Sequence, residues 1–134
     1  MAQVTVRSVG AKLEQEISIG DHRITADEPV DVGGEDKGPG PHQLLLAALG
    51  TCTSMTVLMY ARRKQWPLRA VTVRLDLEGK DSPEGRVTDI RREVVFDGPE
   101  LAPDQRARLI DIANKCPVHK TLTGKINIAT KEAS

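Results

Sequence analysis

The side chains best suited to chemistry are two thiols, Cys52 and Cys116, 64 positions apart and without a C-x-x-C motif. Residue type and spacing leave three readings open: small buried hydrophobes, metal ligands, or a redox couple. The two neighbourhoods differ. Cys52 stands between Thr51 and Thr53, with Ser54 beyond, in an otherwise aliphatic run. Hydroxyls can donate to a thiolate or bond back to helix carbonyls. Apolar surroundings raise a thiol's pKa, so a reactive Cys52 needs an added cation, an arginine from elsewhere in the chain. Cys116 follows a helical pattern, where the negative end of the helix dipole opposes a thiolate; Lys115, His119 and Lys120 partly offset this. On these grounds Cys52 is the better thiol for first attack and Cys116 the better resolving thiol.

Other chemistries find less support. Cys116-Pro117-Val118-His119 has C-x-x-H spacing, and His22, His42 and Cys52 could add ligands, but a zinc site normally shows two paired motifs and only one is present. His119 reads as a surface or capping histidine. The loop GGEDKGPGP (33–41) lacks the phosphate-loop pattern, and its prolines leave few N–H groups to cradle an anion. No Ser-His-Asp triad is signalled. Asp89 to Glu93 reads as a solvated strand face.

These residues need elements to position them. The chain has 134 residues, the expected length of one domain spanning 1–134. Lys+Arg and Asp+Glu are both 19, so the formal charge is zero. That, with aromatics at 2%, argues against a polyanion binder or a base-stacking platform, so no nucleic-acid partner is expected. No targeting signal opens the chain, and the apolar region Leu44 to Tyr60 is interrupted by polar residues, so a cytoplasmic protein with no membrane partner is expected. A structural disulfide is not the default there.

Period-2 alternation predicts about three short strands in residues 1–32, with a turn at Gly20-Asp21. Pro41 opens a helix over 41–65, apolar nearly all round and therefore expected to be buried on most faces. Gly50 within it implies a kink or a close backbone approach. Residues 70–97 read as a hairpin with its turn at 80–85, 103–114 as a second helix, and 122–130 as a closing strand. The order βββ-α-ββ-α-β is α+β, with antiparallel sheets packed around the central helix. Covering that helix suggests a dimer that shares it.

The segments GPGPHQLLLAALGTCTSMTVLMYARRK (38–64) and ANKCPVHKTLTG (113–124), with DEPVDVGG (27–34), resemble the OsmC/Ohr family of osmotically inducible and organic hydroperoxide resistance proteins. The likeness covers nearly the whole chain and looks closest to the OsmC-like branch. It implies an intertwined α+β homodimer with two interfacial sites that reduce organic hydroperoxides without metal or cofactor. Cys52 matches the peroxidatic cysteine of the family and Cys116 the resolving one, and a dithiol reductant, a lipoylated protein in some members, restores both. One feature departs: the family's glutamate, which holds an arginine against the thiolate, is replaced by His42 and Gln43. Gln43 can still orient an arginine through its amide oxygen. The family's arginine comes from the N-terminal strands, where Arg23 and Arg7 are the candidates. The missing glutamate motivates an alternative, a redox sensor or a binder of a small apolar ligand on the same fold without turnover.

Overall fold

Alternating apolar and polar residues near the N-terminus form three short antiparallel strands: β1 (Thr5–Ser8), β2 (Gln15–Ile19) and β3 (His22–Ala26). They lie in the order β1-β2-β3. Gly20, at φ +58°, makes the two-residue turn that pairs Ile19 with His22. The computed structural model describes residues 2–133 and falls into two compact units, 1–45 and 46–134.

In the first unit the loop after β3 is tied down by Asp27, which is almost fully buried. Its carboxylate accepts the N–H groups of Glu28 (2.8 Å), Glu35 (3.2 Å) and Lys37 (3.1 Å). Burial alone would raise the Asp27 pKa; these three donors and the Lys37 charge bring it below the ordinary carboxylate value. A Cβ on Gly34 would overlap the Glu28 carbonyl oxygen, and one on Gly38 that of Thr25. The glycines of this loop are therefore required by close backbone approach.

The main helix, α1, runs Pro41–Arg63. Its N-terminus is capped from within: Gln43 Oε1 accepts the Gly40 N–H at 2.8 Å. It stops two residues short of the predicted end. Gln65 adopts φ +57°, and the N–H groups of Gln65 and Trp66 turn back to the carbonyls of Arg62 and Ala61, a Schellman closure.

In the second unit, β4 (Ala70–Ser82) and β5 (Gly85–Asp97) form a hairpin in unbroken register from Ala70–Asp97 to Ser82–Gly85. Its turn is only Pro83-Glu84, tighter than predicted. Helix α2 spans Pro103–Ala113, with the Gln105 side chain holding the Ala102 N–H. Val57 and Ala61 of α1 meet Leu101, Leu109, Ile112 and Ala113 in the core, with Trp66, Val94 and Phe96 packed around them. Gly50 serves close approach: a Cβ there would come within 2.8 Å of Leu75 Cδ1 on β4.

The structure corrects two expectations. The closing strand is absent. Residues Pro117–Thr123 form a short helix, α3, and no strand follows it among the described residues. Thr121 and Thr123 bond back to the carbonyls of Pro117 and His119, and α3 takes in Leu122 and Thr123 from the expected strand. Ile126 and Ile128 do alternate, but both are exposed; alternation makes a strand only where an edge pairs with it. Second, α1 is not buried on most faces by its own chain. Its buried residues Leu49, Gly50, Thr53, Val57 and Ala61 form a single narrow stripe, while Leu45, Met55 and Met59 are exposed. By length and composition alone α1 could cross a bilayer. Gly50 and Thr53 on it approach the hairpin of β4 and β5.

Candidate active site

The first turn of any helix leaves backbone N–H groups without intrahelical partners. In α3 all of them are accounted for. Pro117 has none. The Val118 N–H points at Cys52 Sγ (3.5 Å), and the His119 N–H at Cys116 Sγ (3.4 Å). The Lys120 N–H begins the helical ladder at the Cys116 carbonyl (3.1 Å). Two successive donors thus reach two sulfurs that are 64 residues apart in sequence. Cys116 is the N-cap of α3, its sulfur replacing the usual hydroxyl. The expected opposition from a preceding helix dipole is therefore offset at the sulfur itself by a helix N-terminus.

The two thiols differ in access. Cys116 is fully buried, whereas Cys52 is half-buried, with Thr56 Oγ1 at 4.0 Å. Burial alone would raise the Cys116 pKa. The His119 N–H, the Thr53 hydroxyl, Cys52 and the positive charge of Arg92 together bring it below the ordinary thiol value.

Arg92 is the residue that the sequence reading missed. It lies on β5 in phase with the half-buried Ile90, Val94 and Phe96, opposite Leu75 of β4. Its Nη1 donates to Thr53 Oγ1 at 3.0 Å, and its Nη2 donates to Asn114 Oδ1 at 2.9 Å and to His119 Nδ1 at 3.0 Å. Because arginine only donates, His119 Nδ1 accepts, and the proton of the neutral ring sits on Nε2. The run from Asp89 to Glu93 is thus not a uniformly solvated face. Nor is His119 a free surface residue, because Arg92 holds its ring. The signal was in the sequence: the period that puts Ile90, Val94 and Phe96 inward carries Arg92 with them.

Beside this network is a cleft of about 540 Å³, lined by Leu49, Ile90, Arg92, Val94, Ile110 and His119 among others. Its wall is mixed: aliphatic side chains alternate with Thr88, Asn114, Thr123, one guanidinium and one imidazole.

The remaining candidates lie in the first unit. Gln43 accepts the Gly40 N–H with its amide oxygen. His42 is exposed in the first turn of α1. Arg23 donates to the Gly20 and His22 carbonyls of its own hairpin, and Arg7 pairs with Glu16 across β1 and β2. Within the second unit, the arginine joined to Cys116 through Thr53 is Arg92 of β5. Among the described residues, no three His, Cys, Asp or Glu side chains are grouped to hold a metal ion.

The arrangement presents an accessible thiol and a buried, ionisable thiol to adjacent N–H donors, which suits thiol–disulfide chemistry. A family model for OsmC-like proteins matches residues 34–131. The fold is similar to a putative osmotic stress induced and detoxification response protein from Psychrobacter arcticus, with 22% identity over 90% of this chain and 88% of that one and a TM-score of 0.76. It is similar to an organic hydroperoxide resistance protein OsmC from Legionella pneumophila (20% identity, 92% and 90% covered, TM-score 0.69). It is also similar to the organic hydroperoxide resistance protein OhrB of Bacillus subtilis (18% identity, 92% and 91% covered, TM-score 0.66). A search among curated proteins found no match.

Proposed function

The chain belongs to the OsmC-like protein family, and from that premise we propose that it is a thiol peroxidase reducing organic hydroperoxides with Cys52 and Cys116. The observation that carries the reading is the delivery of successive α3 N–H groups to both sulfurs. Access divides the roles. Cys52 is partly exposed and meets the peroxide; Cys116 is buried and meets only Cys52. Organic hydroperoxide resistance proteins among the structural neighbours support the substrate class.

The chemistry balances with two thiols. The Cys52 thiolate attacks one peroxide oxygen, the O–O bond breaks, and the alkoxide takes a proton to leave as an alcohol. The Val118 N–H stabilises charge on the Cys52 sulfur. Cys116 sulfur then attacks the resulting sulfenic acid, an S–S bond forms, and hydroxide leaves to become water. A dithiol, a lipoylated protein being one such reductant, reduces the disulfide and regenerates both thiols. Neither metal nor cofactor enters these steps. The working protein is a cytoplasmic homodimer in which a second copy covers Leu45, Met55 and Met59 of α1, which one chain leaves exposed.

Steady-state consumption of cumene hydroperoxide with dithiothreitol as reductant tests the reading. Turnover well above the protein-free rate is expected; consumption at the protein-free rate would overturn it. A second reading, a redox sensor that closes its disulfide without turnover, is favoured by Gln43, an uncharged amide where the family carries a glutamate. A clean disulfide without catalytic consumption would select the sensor.

A further inference from the structure

We infer that Arg92 is the positioning residue of the resolving step, holding Thr53 and α3 around Cys116 so that its sulfur attacks oxidised Cys52. The inference rests on the peroxidase reading for its catalytic consequence, but its geometry stands apart from that reading.

Arg92 occupies an inward position in an apolar row, where an unpaired charge is costly. Its three partners, Thr53, Asn114 and neutral His119, carry no charge. Among the described residues no carboxylate forms an ion pair with it. The acidic group it can favour is Cys116, one hydroxyl away. The ionisable groups around Cys116 are Cys52 from α1, Arg92 from β5 and His119 from α3, with Lys115 and Lys120 exposed on either side in sequence.

Proton accounting at Thr53 gives the device. Its Oγ1 lies 2.7 Å from the Leu49 carbonyl oxygen, 3.0 Å from Arg92 Nη1 and 3.7 Å from Cys116 Sγ. A hydroxyl has one hydrogen and two lone pairs. Arg92 permanently fills one lone pair. While Cys116 is a thiol, its S–H donates to the other lone pair, and Thr53 donates to Leu49. When Cys116 is a thiolate, the Thr53 hydrogen turns to the sulfur, and Arg92 keeps the oxygen in place. Through His119 and Asn114 the same guanidinium fixes α3 and the end of α2, and with α3 the N–H that caps Cys116. The poised thiolate attacks the Cys52 sulfenic sulfur; the S–O bond breaks as S–S forms, and hydroxide departs to take up a proton.

The test has two readouts. In a Cys52→Ser background, ultraviolet thiolate absorbance reports Cys116 alone. Arg92→Met is expected to raise its midpoint by about one pH unit, a roughly tenfold loss of thiolate at neutral pH, and Arg92→Lys to restore part of it. With Cys52 intact, rapid-mixing kinetics with cumene hydroperoxide should show Arg92→Met slowing disulfide closure far more than sulfenic acid formation, with sulfinic acid accumulating. An unmoved midpoint, or equal slowing of both steps, would overturn the inference. If wild-type Cys52 forms no sulfenic acid, the peroxidase reading fails while the titration still decides Arg92. Should Arg92→Met fail to fold, Thr53→Val and Thr53→Ser decide: the first is expected to raise the midpoint and the second to preserve it, and equal midpoints would count against the inference.

Discussion

Cys52→Ser is expected to bring hydroperoxide consumption down to the rate of the dithiol reductant alone, a loss of at least roughly a thousandfold. Serine is nearly isosteric with cysteine, and its oxygen can still accept the Val118 N–H that Cys52 Sγ accepts at 3.5 Å. Its position on α1 is only half-buried. What is lost is the ionisable, polarisable nucleophile that can displace alkoxide from a peroxide oxygen. A serine hydroxyl remains protonated in this range and does not attack an O–O bond. Steady-state assays against dithiothreitol, with circular dichroism to confirm the fold, measure this directly. Consumption retained in the variant would place the chemistry elsewhere.

Cys116→Ser should separate the two halves of the cycle. Serine is among the best N-cap residues, and its hydroxyl can take over the His119 N–H that Cys116 Sγ now accepts. The fold of α3 should therefore survive. The first peroxide equivalent should still oxidise Cys52, because that step needs only the accessible thiol and its own donor. The cycle should then stop at the sulfenic acid, since no buried thiolate remains to close the disulfide. Intact mass spectrometry should show one added oxygen after one equivalent, and two as excess peroxide drives Cys52 to the sulfinic acid. Multiple turnover with unchanged mass would show that Cys116 is dispensable.

Much of this architecture was legible in the residues. The hairpin of β4 and β5 follows from strict alternation, and α1 and α2 from apolar spacing with Pro41 and Pro103 at their starts. Both cysteines were singled out, and the structure brings them to one helix turn. What was hidden is physically specific. Helix α3 has only 7 residues, and a cysteine rather than Ser, Thr, Asp or Asn stands at its N-cap, so the usual start signal was missing. With α3 unseen, the electrostatic reading of Cys116 sets Lys115, His119 and Lys120 against the end of α2 and has no helix N-terminus to add to them. Arg92 was hidden because a run of charges around it reads as solvated unless the phase set by Ile90 and Val94 is carried through. The apolar faces of α1 read as buried because composition does not say whether the covering atoms come from the same chain.

One measurement bears most directly on the paired-thiol account: titration of the fully reduced protein with cumene hydroperoxide in the absence of reductant, followed by thiol counting and peptide mapping. One equivalent per chain should consume both thiols, release one equivalent of alcohol and leave a single Cys52–Cys116 disulfide. Two free thiols remaining after the peroxide is added, or oxidation of Cys52 with Cys116 left untouched, would contradict it.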